Sequence, residues 1–215
     1  MRTVAYMVAP LSDRSVARVF PPRPFAAAAT MLLFTAVLYL VEAVDQFTPL
    51  DLDDDGIRPW SVDGLDGILW APLLHSGWGH LASNTLPFLI FGFLAMAGGI
   101  RRWVAVTAII WLVGGIGVWL TGGSWINSHI GASGVIFGWL AFLLARGFFA
   151  RSGRQIALAA VLLFIWGGLL WGVLPGAPDV SWQAHLFGAL AGILAARVVT
   201  RRASRQPLPQ SPGAF

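Results

Sequence analysis

Four side chains that can do polar chemistry are set in strongly apolar surroundings: His80, Asn84, Ser133 and His185. A serine and a histidine within hydrogen-bond reach, about 2.6–3.2 Å, form a nucleophile with its general base. Ser133 lies in Gly131-Ala132-Ser133-Gly134, just where an apolar run begins. A serine at a helix N-terminus has free backbone N–H groups beside it, which suit a developing oxyanion. His80 and Asn84 could add side-chain donors. Nucleophile, base and oxyanion donors together are the apparatus of acyl transfer. No carboxylate is placed to orient His185, since the nearest acid in sequence, Asp179, is in the preceding loop. The expectation is therefore a Ser133–His185 dyad, with the histidine held by packing against Phe137, one turn beyond the serine.

Each residue also has a plainer reading. Ser133 could cap a helix, and Gly134-x3-Gly138 and Gly188-x3-Gly192 could be ordinary helix-packing faces. A buried histidine could simply bridge helices, and Asn84 could be hydrogen-bond glue. What favours the chemical reading is the combination. Small residues beside Ser133 and after His185 would let their two helices approach closely enough for a Ser–His hydrogen bond. Gly131 would let the chain turn tightly into the serine helix.

The elements that must position these groups are membrane helices. With 57% hydrophobic residues in 215 and a mean hydropathy of +0.72, the chain is too apolar for a soluble domain of this size. A hydrocarbon core of about 30 Å takes about 20 apolar residues to cross. Six segments qualify, near 25–44, 80–98, 103–120, 132–149, 155–174 and 183–199. The expected fold is an all-α membrane protein, a six-helix bundle over residues 25–202. It would be preceded by a cytoplasmic segment, 1–24, and followed by a disordered cytoplasmic tail, 203–215. A cleaved signal peptide fits residues 1–44 less well than an uncleaved first span, because the apolar core is too long. At about 1.5 Å per residue from each helix's inner end, Ser133, His185 and Asn84 come out at depths of about 20, 18 and 21 Å. His80 is one turn above Asn84 on the same face. The four groups are thus expected in one layer.

Charge sets the orientation. All fourteen basic residues are arginine, and thirteen fall on one side of the six spans, with Arg58 opposite. That side is cytoplasmic by the positive-inside rule, so both termini are expected inside and the polar layer near the external face. The arginines are split among short segments and form no stripe, so the pI near 11.0 reflects topology, with no nucleic-acid partner. The acids gather in the external loop, 45–79, whose Asp51-Leu-Asp-Asp-Asp-Gly56 begins like a calcium loop. Val62 stands where the bidentate Glu should be, so a solvated acidic turn is the expectation. The apolar stretch 67–74 is too short to span and could lie in the interface. No cysteine is present, which excludes disulfides and thiolate metal sites. The four histidines come with neither HExxH nor an acid at depth, so no metal is expected. A transporter would want more charge within its spans than Glu42 supplies.

His75-x4-His80-x3-Asn84, Gly131-Ala-Ser133-Gly134 and Ala184-His185-x2-Gly188-x3-Gly192 fall in that order on spans two, four and six. In this combination the chain resembles the rhomboid intramembrane serine proteases of bacterial type. The resemblance implies a plasma-membrane, multi-pass bundle with a water-filled cavity opening externally. It implies Ser133 as nucleophile, His185 as base, and His80, Asn84 and the Ser133 backbone as oxyanion stabilisers. Gly131, Gly134, Phe137 and Gly188 would support them. It implies no cofactor, and as partners the lipid bilayer and single-span protein substrates, cut at small residues and admitted beside span five. A catalytically inactive, membrane-protein-binding relative is the alternative. Many members carry a Trp-Arg pair where Asp66-Gly67 stands here, so the external loop is expected to be braced differently. The frequent tyrosine is replaced by Phe137, which keeps ring packing on His185 but no phenol hydrogen bond. His75 is read as supporting the loop, and His129 as a surface loop histidine.

Overall fold

The structure is a computed structural model that describes residues 17–123, 128–176 and 180–204. The expected N-terminal segment before residue 17, Asp179 and the tail beyond residue 204 lie outside the described residues. Six long helices follow one another among the described residues: α1 (Pro24–Phe47), α2 (Trp78–Ala95), α3 (Ile100–Thr121), α4 (Ser133–Phe149), α5 (Gly153–Trp166) and α6 (Trp182–Ser204). Pro24 opens α1, at a position where its missing N–H leaves no helical bond unmade. A short 3-10 turn, Met96–Gly98, closes α2, and Gly99 at φ +90° reverses the chain into α3. The fold is an all-helical membrane bundle.

Two helices depart from the expected spans. Among the described residues five segments are long and apolar enough to cross a membrane, whereas α4 has 17 residues and falls short. Its first turn starts at Ser133 and faces a cavity, where non-helical backbone and polar groups are tolerated at membrane depth. The fifth span, expected as one helix over 155–174, is α-helical only to Trp166 and continues as a 3-10 segment, Gly167–Val173. Three glycines in that stretch, Gly167, Gly168 and Gly172, lower its helix propensity.

The core is built around α4, whose residues 135–143 are all buried. Trp139 is its centre. Its ring lies 5.0 Å from Phe88 and 5.8 Å from Trp103, and Phe34 stacks on Phe88 at 5.4 Å. The indole N–H of Trp139 donates to Thr107 Oγ1 at 3.0 Å, so this large side chain leaves no donor unpaired.

Backbone-to-backbone contact joins α4 to α6. A Cβ added at Gly188 would collide with the Gly134 carbonyl, and one at Gly192 with the Gly138 carbonyl. One added at Gly138 would come 3.0 Å from the Gly188 carbonyl. The two glycine pairs thus interleave, as small-residue stripes do in membrane bundles.

The segment between α1 and α2 is folded rather than open, with helical turns at Leu52–Asp55, Val62–Gly64, Gly67–Trp70 and Ala71–Leu73. Its bracing comes from tryptophans. Trp111 and Trp119 of α3 donate to the carbonyls of Ile68 and Ser61, each at 2.8 Å, and Trp60 donates to Leu120 at 2.9 Å. Gly56 and Gly67 cross so closely that a Cβ on Gly67 would strike the Gly56 carbonyl. Gly67, which follows Asp66 in this segment, is therefore itself a packing point.

If the interleaved glycines set the α4–α6 distance, Gly188→Val must force the helices apart. Overpacking of this kind costs about 1–3 kcal/mol. Thermal unfolding in detergent, followed by tryptophan fluorescence, should show a clearly lowered Tm. An unchanged Tm would show that the glycines do not carry the contact.

Candidate active site

Ser133 is the first residue of α4, and His185 lies in the first turn of α6. The α4–α6 approach places His185 Nε2 2.9 Å from Ser133 Oγ. The tautomer follows from the other ring nitrogen. His185 Nδ1 lies 2.9 Å from the Gly172 carbonyl, which can only accept, so Nδ1 carries the hydrogen. Nε2 is then the acceptor for the Ser133 hydroxyl. The Phe137 ring stacks on the imidazole at 4.0 Å between centroids and 3° between planes. Packing alone was expected to hold this histidine; the structure adds a backbone carbonyl in the place a carboxylate takes in a triad. Gly172 was not visible as a site residue in the sequence. A Cβ there would stand 3.0 Å from Phe137 and 3.1 Å from His185 Nδ1, so any larger residue would press on both rings.

Ser133 and His185 line a cavity of about 520 Å³ together with His80, Asn84, Phe137 and Ser181. Gly131 precedes the serine at φ +115°, the left-handed region that favours glycine. Its missing Cβ leaves room for the His80 ring, whose Nε2 would be 2.9 Å from that atom. His80 Nδ1 faces the backbone N–H of Ser76 at 3.4 Å and its hydroxyl at 3.1 Å. The N–H can only donate, so Nδ1 accepts and Nε2–H is the donor on the Gly131 side. Asn84 is buried, and its Nδ2 has no partner. Asn84 is among the residues lining the cavity, and a buried donor without a partner calls for an explanation, which an oxyanion reaching it would supply. The first-turn amides of α4 add backbone donors.

The serine loop is anchored on two sides. His75 is buried, and its Nε2 accepts the Ala132 N–H at 3.3 Å, while its ring meets His80 edge-on at 5.1 Å. Burial, and then the neighbouring His80, push the His75 imidazole down to about 4. It therefore stays neutral and keeps its acceptor at any ordinary pH. His129, expected at the surface, is in fact 2% exposed. Its backbone pairs with Ile57 at 3.0 and 2.9 Å, and its Nδ1 meets Ser181 Oγ at 2.6 Å. Ser181 in turn caps α6 by accepting the Ala184 N–H at 3.2 Å. His129 thus ties the serine loop to the cap of the histidine helix. Only its closeness to the serine in sequence hinted at this.

The pattern of the Rhomboid domain matches residues 64–202. The chain belongs to the rhomboid family. The match begins within the braced segment between α1 and α2 and runs into the last turn of α6, so it takes in every site residue described above. This rhomboid is 50% identical over 186 residues to the uncharacterized protein Rv1337 of Mycobacterium tuberculosis, covering 83% of this chain and 78% of that one. It is 48% identical over 178 residues to the uncharacterized protein ML1171 of Mycobacterium leprae, covering 80% and 70%. It is 26% identical over 183 residues to YdcA of Bacillus subtilis, provisionally designated a rhomboid protease, covering 82% and 89%. As a rhomboid with several apolar helices, the protein is a multi-pass membrane protein.

The acidic turn of this rhomboid is partly buried rather than fully solvated. The Asp53 carbonyl accepts from Ser128 Oγ at 2.8 Å. Burial, and then repulsion from Asp45, Asp51 and Asp54, push the Asp53 carboxyl up to about 6. The unfolded value is about 3.9. Between these pH values the folded chain holds a proton that the unfolded chain has lost, so stability falls as pH rises through the window. Asp53→Asn should flatten Tm between pH 4 and pH 6 and raise it at pH 7. An identical Tm–pH curve for both proteins would refute the assignment.

Proposed function

We propose that this rhomboid is an intramembrane serine endopeptidase that cuts transmembrane segments of other proteins. The observation that carries the proposal is the 2.9 Å Ser133–His185 hydrogen bond at the floor of a wide cavity. Ser133 is the nucleophile. Its hydroxyl proton passes to His185 Nε2 as Oγ attacks the scissile carbonyl. The tetrahedral oxyanion is met by His80 Nε2–H, Asn84 Nδ2–H and first-turn amides of α4. His185 then returns its proton to the departing amine, and a water, activated by the same nitrogen, releases the acyl group from Ser133. The backbone carbonyl of Gly172 keeps the imidazole oriented throughout, and Phe137 stabilises its ring position.

The membrane domain spans residues 25–202 and sits in the plasma membrane with both termini cytoplasmic. The cavity opens to the external side, which supplies the water. Substrates are single-span proteins admitted beside α5. The packing of α5 supports this route, because only Gln155, Ala159 and Leu162 of that helix are buried.

A fluorophosphonate probe should label the wild-type protein and fail to label Ser133→Ala. Equal labelling of the two would eliminate Ser133 as the nucleophile, and no labelling of either would favour the inactive relative. For the oxyanion donors, loss of one typically lowers kcat by about 10²–10³. Asn84→Ala should therefore cleave a single-span reporter that much more slowly, with wild-type Tm. Unchanged turnover would remove Asn84 from the site.

A further inference from the structure

Arg146 is the one charged side chain of α4, and it is only 6% exposed. Its Nε and Nη2 are closed off from solvent and have no hydrogen-bond partner. The guanidinium lies 5.7 Å from the centre of the Phe142 ring, whose face attracts a cation but supplies no counter-charge. A guanidinium does not give up its proton in a protein. The charge therefore persists, and burying it without an anion is strongly unfavourable.

The described residues offer no such anion nearby. Every described carboxylate falls between Glu42 and Asp66, at the opposite end of the bundle. The neighbours of Arg146 are instead further cations. Arg146 and Arg102 line one recess, with Gly98, Phe142, Gln155 and Thr200. Arg18 acts electrostatically on Arg102, and its carbonyl accepts from Gln155 Nε2 at 2.9 Å. The recess encloses about 20 Å³, and about 320 Å³ when its open mouth is included. The enclosed part admits something of about the size of a water molecule. A ligand that fits would insert an oxygen or two and leave its bulk at the mouth.

We propose that this recess binds a phosphate group, with Arg146 and Arg102 as the ligating cations. Guanidinium forks match phosphate oxygens in pairs, which is why arginine dominates such sites. The recess opens at the arginine-rich end of the bundle, where a bilayer presents its headgroup phosphates. Basic pockets between helices at that level suit anionic lipids. Its walls come from the ends of α3, α4, α5 and α6, so one bound phosphate links four helices.

The test uses the full chain, delipidated in a neutral detergent. Dioleoylphosphatidylglycerol, dioleoylphosphatidylcholine and inorganic phosphate are added separately, with thermal unfolding and native mass spectrometry as readouts. Phosphatidylglycerol should raise the wild-type Tm by about 3–5 °C, and Arg102→Gln should weaken its retention about tenfold or more. Arg146→Met should be the more stable protein without lipid and gain nothing from phosphatidylglycerol. A shift reproduced by millimolar phosphate, with displacement of the lipid, makes free phosphate the ligand. A shift given by phosphatidylglycerol alone makes it the lipid. Equal retention and equal shifts in wild type and Arg102→Gln would overturn the proposal, even if Arg146→Met did not fold.

Discussion

The closeness of α4 to α6 is the constraint on which the rest of the structure depends. Lipid tails are as apolar as the helices, so burial of apolar surface gives helices little reason to associate in a bilayer. Association rests on dispersion and on how near the backbones can come. Gly134, Gly138, Gly188 and Gly192 remove the side chains that would hold the two backbones apart. The Ser133–His185 hydrogen bond is available only because of that approach. Trp139, on the same helix, fills the space on the other side of α4, and the aromatic stack around it fixes the helix in rotation.

A second theme is how polar groups are satisfied where water is scarce. Backbone groups do most of this work. His185 gives its Nδ1–H to the Gly172 carbonyl, and His75 takes the Ala132 N–H. Trp60, Trp111 and Trp119 give their indole hydrogens to loop carbonyls. Backbone partners cost no extra charge at membrane depth, which is a reason for a histidine to lean on a carbonyl where a soluble enzyme would use an aspartate. Among the described residues the remaining charges are sorted by end, with the acids in or next to the segment between α1 and α2 and every arginine but Arg58 toward the other ends of the helices.

Much of this could be read from residue types. The six-helix bundle follows from apolar runs separated by arginines, and helix rise alone leads one to expect Ser133, His185 and Asn84 near one another, as they are around one cavity. What could not be read was of three kinds. The end of α5 looked like continuous helix, because its apolar character masks the effect of three glycines. Gly172 carries no signal in the sequence because it acts through its carbonyl, which every residue has. His129 has the sequence setting of a surface loop residue, yet its backbone pairing with Ile57 draws it under the segment between α1 and α2. In each case the missing information was tertiary.

The placement of Gly172 has a consequence for timing. The carbonyl that aligns the imidazole belongs to neither of the two glycine-locked helices. It comes from the 3-10 end of α5, the helix with the fewest buried residues among the six. Should α5 swing outward, Nδ1 of His185 would lose its acceptor and the ring would be free to turn about Phe137. Alignment of the base would then report whether the bundle is closed. The orientation of the His185 ring is in this way tied to the position of α5.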